Sequence, residues 1–167
     1  AYKAAKAISE RIERPTQAAI VEGIRGAANA EARKQGALRA FAENPAIRVV
    51  ASETANWKID EGYQVVEKLF NAHPDIGAIF CANDMMALGA LKYLEVSGKS
   101  QVLVAGFDAL EQAKAAIRDG KLVVSIDQQA AQQGYLGVQY AVRALTGETL
   151  PAETLIDTAL VTAETLK

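Results

Sequence analysis

The stretch Ala78-Ile-Phe-Cys-Ala-Asn-Asp-Met-Met-Ala-Leu-Gly-Ala90 decides the fold. Ala78 to Cys81 run apolar without polar alternation, which suits a strand buried on both faces of a parallel sheet. Asn83 and Asp84 follow at once, and Asp84 is a good helix N-cap. Ala87, Ala90, Leu91 and Leu94 then recur at helical spacing. A strand ends, a polar side chain stands on a tight turn, and a helix begins. In open α/β sheets ligands bind in the crevice at the carboxyl ends of the strands. Asn83 is at that edge, and its amide can donate and accept at once, which suits a polyhydroxy ligand. The plainer alternative is that Asn83 only shapes the turn.

Outward from this stretch the same unit recurs. On the N-terminal side, Ala5, Ile8 and Ile12 share a helical face that ends before Pro15. Gln17–Glu22 reads as a buried strand, and Gly23-Ile-Arg-Gly-Ala-Ala-Asn29 as its loop. Ala32, Ala40 and Phe41 mark a helix ended by Asn44-Pro45, Ile47–Ser52 a strand, and Thr54–Lys58 a loop. Tyr63, Val66, Leu69 and Phe70 lie on a helix that closes near His73-Pro74. On the C-terminal side, Gln101–Phe107 is a strand, Leu110, Ala113 and Ile117 mark a short helix stopped by Gly120, and Leu122–Ile126 is a fifth strand. Gln132–Leu145 is a helix with Tyr135, Val138 and Val142 on one face, and Leu155–Val161 a final strand. Strands alternating with helices predict an α/β fold with a doubly wound parallel sheet.

The 167 residues fit one domain, and 50% hydrophobic with 23% charged residues is ordinary for a soluble globular chain. A net charge of −2 gives no electrostatic reason to expect nucleic acid. The longest apolar runs are too short to span a membrane. No signal peptide is visible, and a start at Ala1 rather than Met fits a processed protein or a fragment. Cys81 is the single cysteine, within the buried strand, and reads as an inert core thiol.

Gly23–Gly26 is neither a dinucleotide fingerprint nor a P-loop, so no cofactor is expected. The one histidine, His73, reads as a surface residue at a helix end. No nucleophile elbow and no metal-ligand spacing is present. These absences argue against an enzyme, and no catalytic residue is assigned. What remains is a set of side chains at strand ends or in the loops that follow. Arg33 comes after the first strand's loop, Trp57 after the second strand, Asn83 after the third, Asp108 after the fourth and Gln128 after the fifth. All five are expected to converge on one rim. An indole face stacks on the C–H face of a sugar ring, and the other four offer donors and acceptors for hydroxyls. Each has a plainer alternative: an exposed helix residue for Arg33, a loop anchor for Trp57, a helix N-cap for Asp108, and a cap or solvated residue for Gln128.

On Asn83-Asp-Met-Met-Ala-Leu-Gly89, Val104-Ala-Gly-Phe-Asp108, Asp119-Gly-Lys-Leu122 and Arg33-Lys-Gln-Gly36, the chain resembles the type I periplasmic sugar-binding proteins, the ribose-binding class. The likeness runs from Tyr2 to the end. It implies a three-layer α/β lobe with a doubly wound parallel sheet in flavodoxin-like order. It also implies that Arg33, Trp57, Asn83, Asp108 and Gln128 contact the ligand. Ribose binders carry Phe where this chain has Trp57, so the sugar stays open between a pentose, a hexose and a polyol. Asp127 stands where ribose binders are apolar and is a possible additional hydroxyl contact.

The family has two similar lobes that clamp the sugar between them, and this chain resembles only the later one. Residues 1–128 would then be the C-terminal sugar-binding lobe. Residues 129–154 would carry the helix that packs on the other lobe in full-length relatives, and residues 155–167 the returning strand and tail. Half a clamp implies millimolar or weaker affinity for the chain alone. The helix's unpartnered apolar face is expected either to dock on its own sheet or to exchange with a second copy, a homodimer through residues 129–150. The resemblance implies the substrate-binding component of an ABC sugar importer, a membrane permease as partner and a periplasmic or extracytoplasmic location. The alternative is the effector-binding domain of a lactose-repressor-like regulator, which shares the fold and a similar Asn-Asp-x-Met-Ala signature.

Overall fold

The structure, a computed structural model, describes residues 1–166; Lys167, the last residue of the expected tail, lies outside them. Helices and strands alternate along the chain. They are α1 (Tyr2–Ser9), β1 (Thr16–Glu22), α2 (Ala28–Ala42), β2 (Ile47–Thr54), α3 (Ile59–Ala72), β3 (Ile76–Cys81), α4 (Asp84–Val96), β4 (Leu103–Ala105), α5 (Glu111–Arg118), β5 (Ser125–Asp127), α6 (Ala130–Leu145) and β6 (Ala159–Val161). Four strands form a parallel sheet in the order β2-β1-β3-β4. β1 and β3 occupy its centre, and Ala18–Val21 and Ala78–Cys81 are buried throughout. That is why these two stretches read as continuous apolar runs: helices cover both faces of the sheet. Ala4, Ala5 and Ile8 of α1, Ala37, Ala40 and Phe41 of α2, and Val66, Leu69 and Phe70 of α3 close over it.

The far edge of the sheet differs from the expectation. The strand expected over Gln101–Phe107 is shortened to Leu103–Ala105. The fifth strand, expected over Leu122–Ile126, is divided. Val124 bridges Ala105 in parallel, and Val123 donates to Val104 O at 3.0 Å, which extends the sheet to a fifth position. Ser125–Asp127 then turns away to pair antiparallel with Ala159–Val161. The final strand, expected from Leu155, is only those last three residues. Short strands at a sheet edge gain less from the ladder than central ones, and local side-chain bonding decides where they stop.

The turn after β3 also differs. Asn83, not Asp84, is the N-cap of α4: it is extended (φ −150°, ψ 169°) and its Oδ1 accepts from Met86 N at 2.9 Å. Asp84 is already helical and points inward, fully buried. On α2, Ala32 is exposed and Ala30 takes the buried position expected of it. α6 carries no buried residue, and Tyr135, Val138, Val142 and Leu145 face solvent. It does not dock on the sheet, which removes the first of the two fates expected for its apolar face. Among the described residues no helix is long and apolar enough to cross a membrane.

Candidate functional site

A parallel sheet aims every strand's carboxyl end the same way, so the five following loops meet at one rim. The structure brings the five expected residues together there. Arg33, on α2, lays its guanidinium 3.9 Å from the Phe107 ring centroid and 5.4 Å from that of Trp57. Its Nη1 donates to the Ala82 carbonyl at 2.8 Å and lies 3.6 Å from Asp108 Oδ1. Gln128 Nε2 donates to the same Asp108 oxygen at 2.9 Å. Asn83 Nδ2 reaches the Trp57 carbonyl at 3.4 Å. Arg33 is thus no free surface residue, Asp108 caps no helix, and Asn83 both shapes its turn and borders the rim. Asp127 Oδ1 accepts from Gln129 N at 2.7 Å, which fixes the chain's entry into α6.

Two neighbours of the rim were not among the expected site residues. Phe107, 7% exposed, is the platform under the Arg33 guanidinium. Gly23 lies against the indole: a Cβ there would sit 2.1 Å from Trp57 Cζ2. A side chain at position 23 would therefore push the ring aside. Behind the rim, Glu22 is buried and accepts from Ser52 Oγ at 2.6 Å, with Lys34 Nζ at 3.0 Å. Burial raises its pKa, but the hydroxyl and the ammonium outweigh that and hold it below the usual carboxylate range.

The backbone at the rim is strained. Asn56 (φ 49°), Trp57 (φ 66°), Asp108 (φ 113°), Ala109 (φ 54°) and Gln129 (φ 54°) are the non-glycine residues with positive φ among those described. All lie in loops at the carboxyl edge of the strands. Such conformations cost about 1–3 kcal/mol each and collect where a side chain must be aimed. The electrostatics agree. Burial lowers the pKa of Arg33, against the pull of Asp108 and Asp84. Burial likewise raises that of Asp108, against the pull of Arg33. The pair is held desolvated and at a long distance, so its two ends retain bonding capacity for polar groups brought to the rim. Among the described residues no group of three or more His, Cys, Asp or Glu is placed to hold a metal.

Residues 1–149 match the periplasmic binding protein domain family. The ribose import binding protein RbsB of Salmonella typhimurium is 40% identical over 141 residues, 84% of this chain and 47% of that protein. The D-ribose/D-allose-binding protein of Pseudomonas aeruginosa is 33% identical over 143 residues, 85% of this chain and 44% of that protein. Among solved structures, an ABC transporter periplasmic solute binding protein from Actinobacillus succinogenes with bound D-allose superposes with a TM-score of 0.95. It shares 37% identity and covers 99% of this chain and 58% of its own. A solute binding protein from Bacillus halodurans with bound myo-inositol superposes with a TM-score of 0.92 at 34% identity, covering 97% of this chain and 56% of its own. The chain spans about half the length of the curated relatives it matches. With this fold, this rim and these relatives, the chain belongs to the periplasmic binding protein family, of which it carries one lobe's sheet and its flanking helices.

Proposed function

We propose that the rim is one jaw of a cleft that binds a monosaccharide or polyol, and that the chain acts within the substrate-binding component of an ABC-type sugar importer. The observation that carries this reading is the convergence of Arg33, Trp57, Asn83, Asp108 and Gln128 on one edge, joined through Asp108 and through the ring and carbonyl of Trp57. The named ligands of the relatives, ribose, allose and myo-inositol, are all compact polyhydroxy molecules. They favour the importer reading over that of a regulator's effector domain. The relatives are binding proteins, and no step of chemistry is assigned to the rim. The names of the same relatives support a periplasmic placement, and a membrane permease is the partner this reading calls for.

The geometry suggests how the work is divided. Trp57 offers an aromatic surface to ring C–H groups, and Asp108 accepts from hydroxyls while Arg33 donates to them. Asn83 has committed its Oδ1 to Met86 N and one Nδ2 hydrogen to the Trp57 carbonyl, so the second Nδ2 hydrogen is left to donate. Gln128 has committed its Nε2 to Asp108, so its Oε1 is left to accept. The five groups thus present donors and acceptors in fixed directions, which selects among hydroxyl configurations. A rim open on one side buries only part of a sugar, and millimolar or weaker affinity is expected of the chain alone.

The test is NMR titration of this chain with D-ribose, D-allose and myo-inositol. Resonances of Trp57, Asn83, Asp108 and Gln128 are expected to shift together and to saturate in the millimolar range or above. Shifts confined to other faces, or micromolar binding by a monomer, would refute the respective claims of site and half-site.

A further inference from the structure

Asp84 is used by no step of the proposed binding reading, yet both of its carboxylate oxygens are hydrogen-bonded beside the rim. It is fully buried. Its Oδ2 accepts from Leu110 N at 2.8 Å, and its Oδ1 accepts from Ser125 Oγ at 2.8 Å. Ser125 Oγ in turn accepts from Ala109 N at 3.0 Å. Asp108 N donates to Ile126 O at 2.8 Å. Three successive amides, those of Asp108, Ala109 and Leu110, are therefore pinned from one side, two of them through Asp84 and its hydroxyl partner. These are the amides of the turn in which Asp108 and Ala109 take positive φ. The space for the carboxylate is cut into the backbone: a Cβ on Gly106 would lie 2.2 Å from Asp84 Oδ1.

We propose that Asp84 is a positioning residue for the ligand site, holding the Asp108–Leu110 turn in its strained conformation so that the Asp108 carboxylate faces Arg33, Gln128 and the ligand. The inference rests on the ligand-binding reading of the rim. An ionised carboxylate accepts both bonds at once, whereas a protonated one must turn a donor toward one of its partners. Burial raises the Asp84 pKa to about 6, opposed by the Leu110 amide and the Ser125 hydroxyl and assisted by the charge of Asp108. The ionisable and charged groups that face it are Asp108 in the turn itself, Arg33 on α2 and the buried Cys81 thiol on β3. The clamp is therefore mostly engaged at neutral pH and loosens in mild acid.

The test uses this chain, isotopically labelled, with D-ribose as the probe. Asp84→Asn keeps the shape and an acceptor for Leu110 but presents an amide to Ser125, so it imitates the protonated state. In the wild type the Ala109 and Leu110 amide resonances are expected to titrate with a midpoint near 6. In Asp84→Asn they stay at the acid end of that titration at every pH. The variant binds D-ribose about tenfold more weakly at neutral pH, the scale of one charge-assisted hydrogen bond, and its affinity loses the pH-dependent step centred near 6 that belongs to Asp84. Its thermal midpoint at neutral pH is no lower than that of the wild type, whereas loss of a merely structural contact would lower it. Ser125→Ala is expected to shift the Ala109 amide while leaving that of Leu110 bonded. Wild-type amides that do not titrate in mild acid, or an Asp84→Asn chain that binds D-ribose as well as the wild type, would overturn the proposal. A wild type that binds none of the sugars refutes the reading of the rim instead, and the amide titration still decides whether Asp84 holds the turn.

Discussion

Trp57 shows how much of a binding surface is set by what stands behind it. The indole lies against the bare backbone of Gly23 and 5.4 Å from the Arg33 guanidinium, and its own φ is positive. Three constraints therefore aim one ring. Gly23→Ala places a methyl 2.1 Å from the ring and forces the indole outward. Overpacking of this kind costs about 1–3 kcal/mol. The expected outcome is a red-shifted emission from the single tryptophan and weaker sugar binding, with the fold retained. An unchanged emission maximum with undiminished affinity would remove Gly23 from the account. At this scale the sequence showed which residue types were suited to hydroxyls. It did not show that Phe107 supports Arg33, or that Asp84 is buried, because both depend on neighbours far away along the chain.

Among the elements, β3 and α6 stand at opposite ends. β3 was legible as a strand because its burial on both faces leaves no polar position, and α4 followed from the spacing of Ala87, Ala90 and Leu94. α6 was equally legible as a helix, but its surroundings were not. It has an apolar stripe of Tyr135, Val138 and Val142 and buries none of it. A helix of 16 residues that buries none of its side chains is marginal in water. In dilute solution the α6 amides are expected to exchange rapidly while those of α4 stay protected. As concentration rises the exposed stripe should drive self-association, read by sedimentation velocity, and Val138→Glu should suppress it. A monomer at every concentration would count against a homodimer through this segment.

For the molecule as a whole, pH is the informative variable. The Asp84 pKa is raised from 3.8 to about 6, so folding favours the protonated form. That stabilisation is fully present below the unfolded value and is lost as pH rises through about 6. It amounts to about 3 kcal/mol. Asp108, also raised by burial, acts in the same sense. Glu22, held low by Ser52 and Lys34, acts in the opposite sense and loses its contribution as pH falls. The Asp84 contribution is therefore greatest in mild acid, while the Ala1 amino group, its pKa lowered by burial to about 6, acts in the opposite sense. Asp84→Asn should melt higher than the wild type near neutral pH, with the gap closing as the pH falls toward 4. A wild type that outlasts the variant near neutral pH would contradict the sign. By itself the sequence determined the alternation of strands and helices, the parallel sheet and the five side chains at strand ends, because period and punctuation are local properties of the chain. Only the tertiary structure decided that Asn83 rather than Asp84 caps α4, that the fifth strand divides at Ser125, that α6 stands away from the sheet, and that a buried carboxylate braces the Asp108 turn. Each of those depends on which distant group supplies the last hydrogen bond or the last apolar contact, and no window of sequence contains both partners.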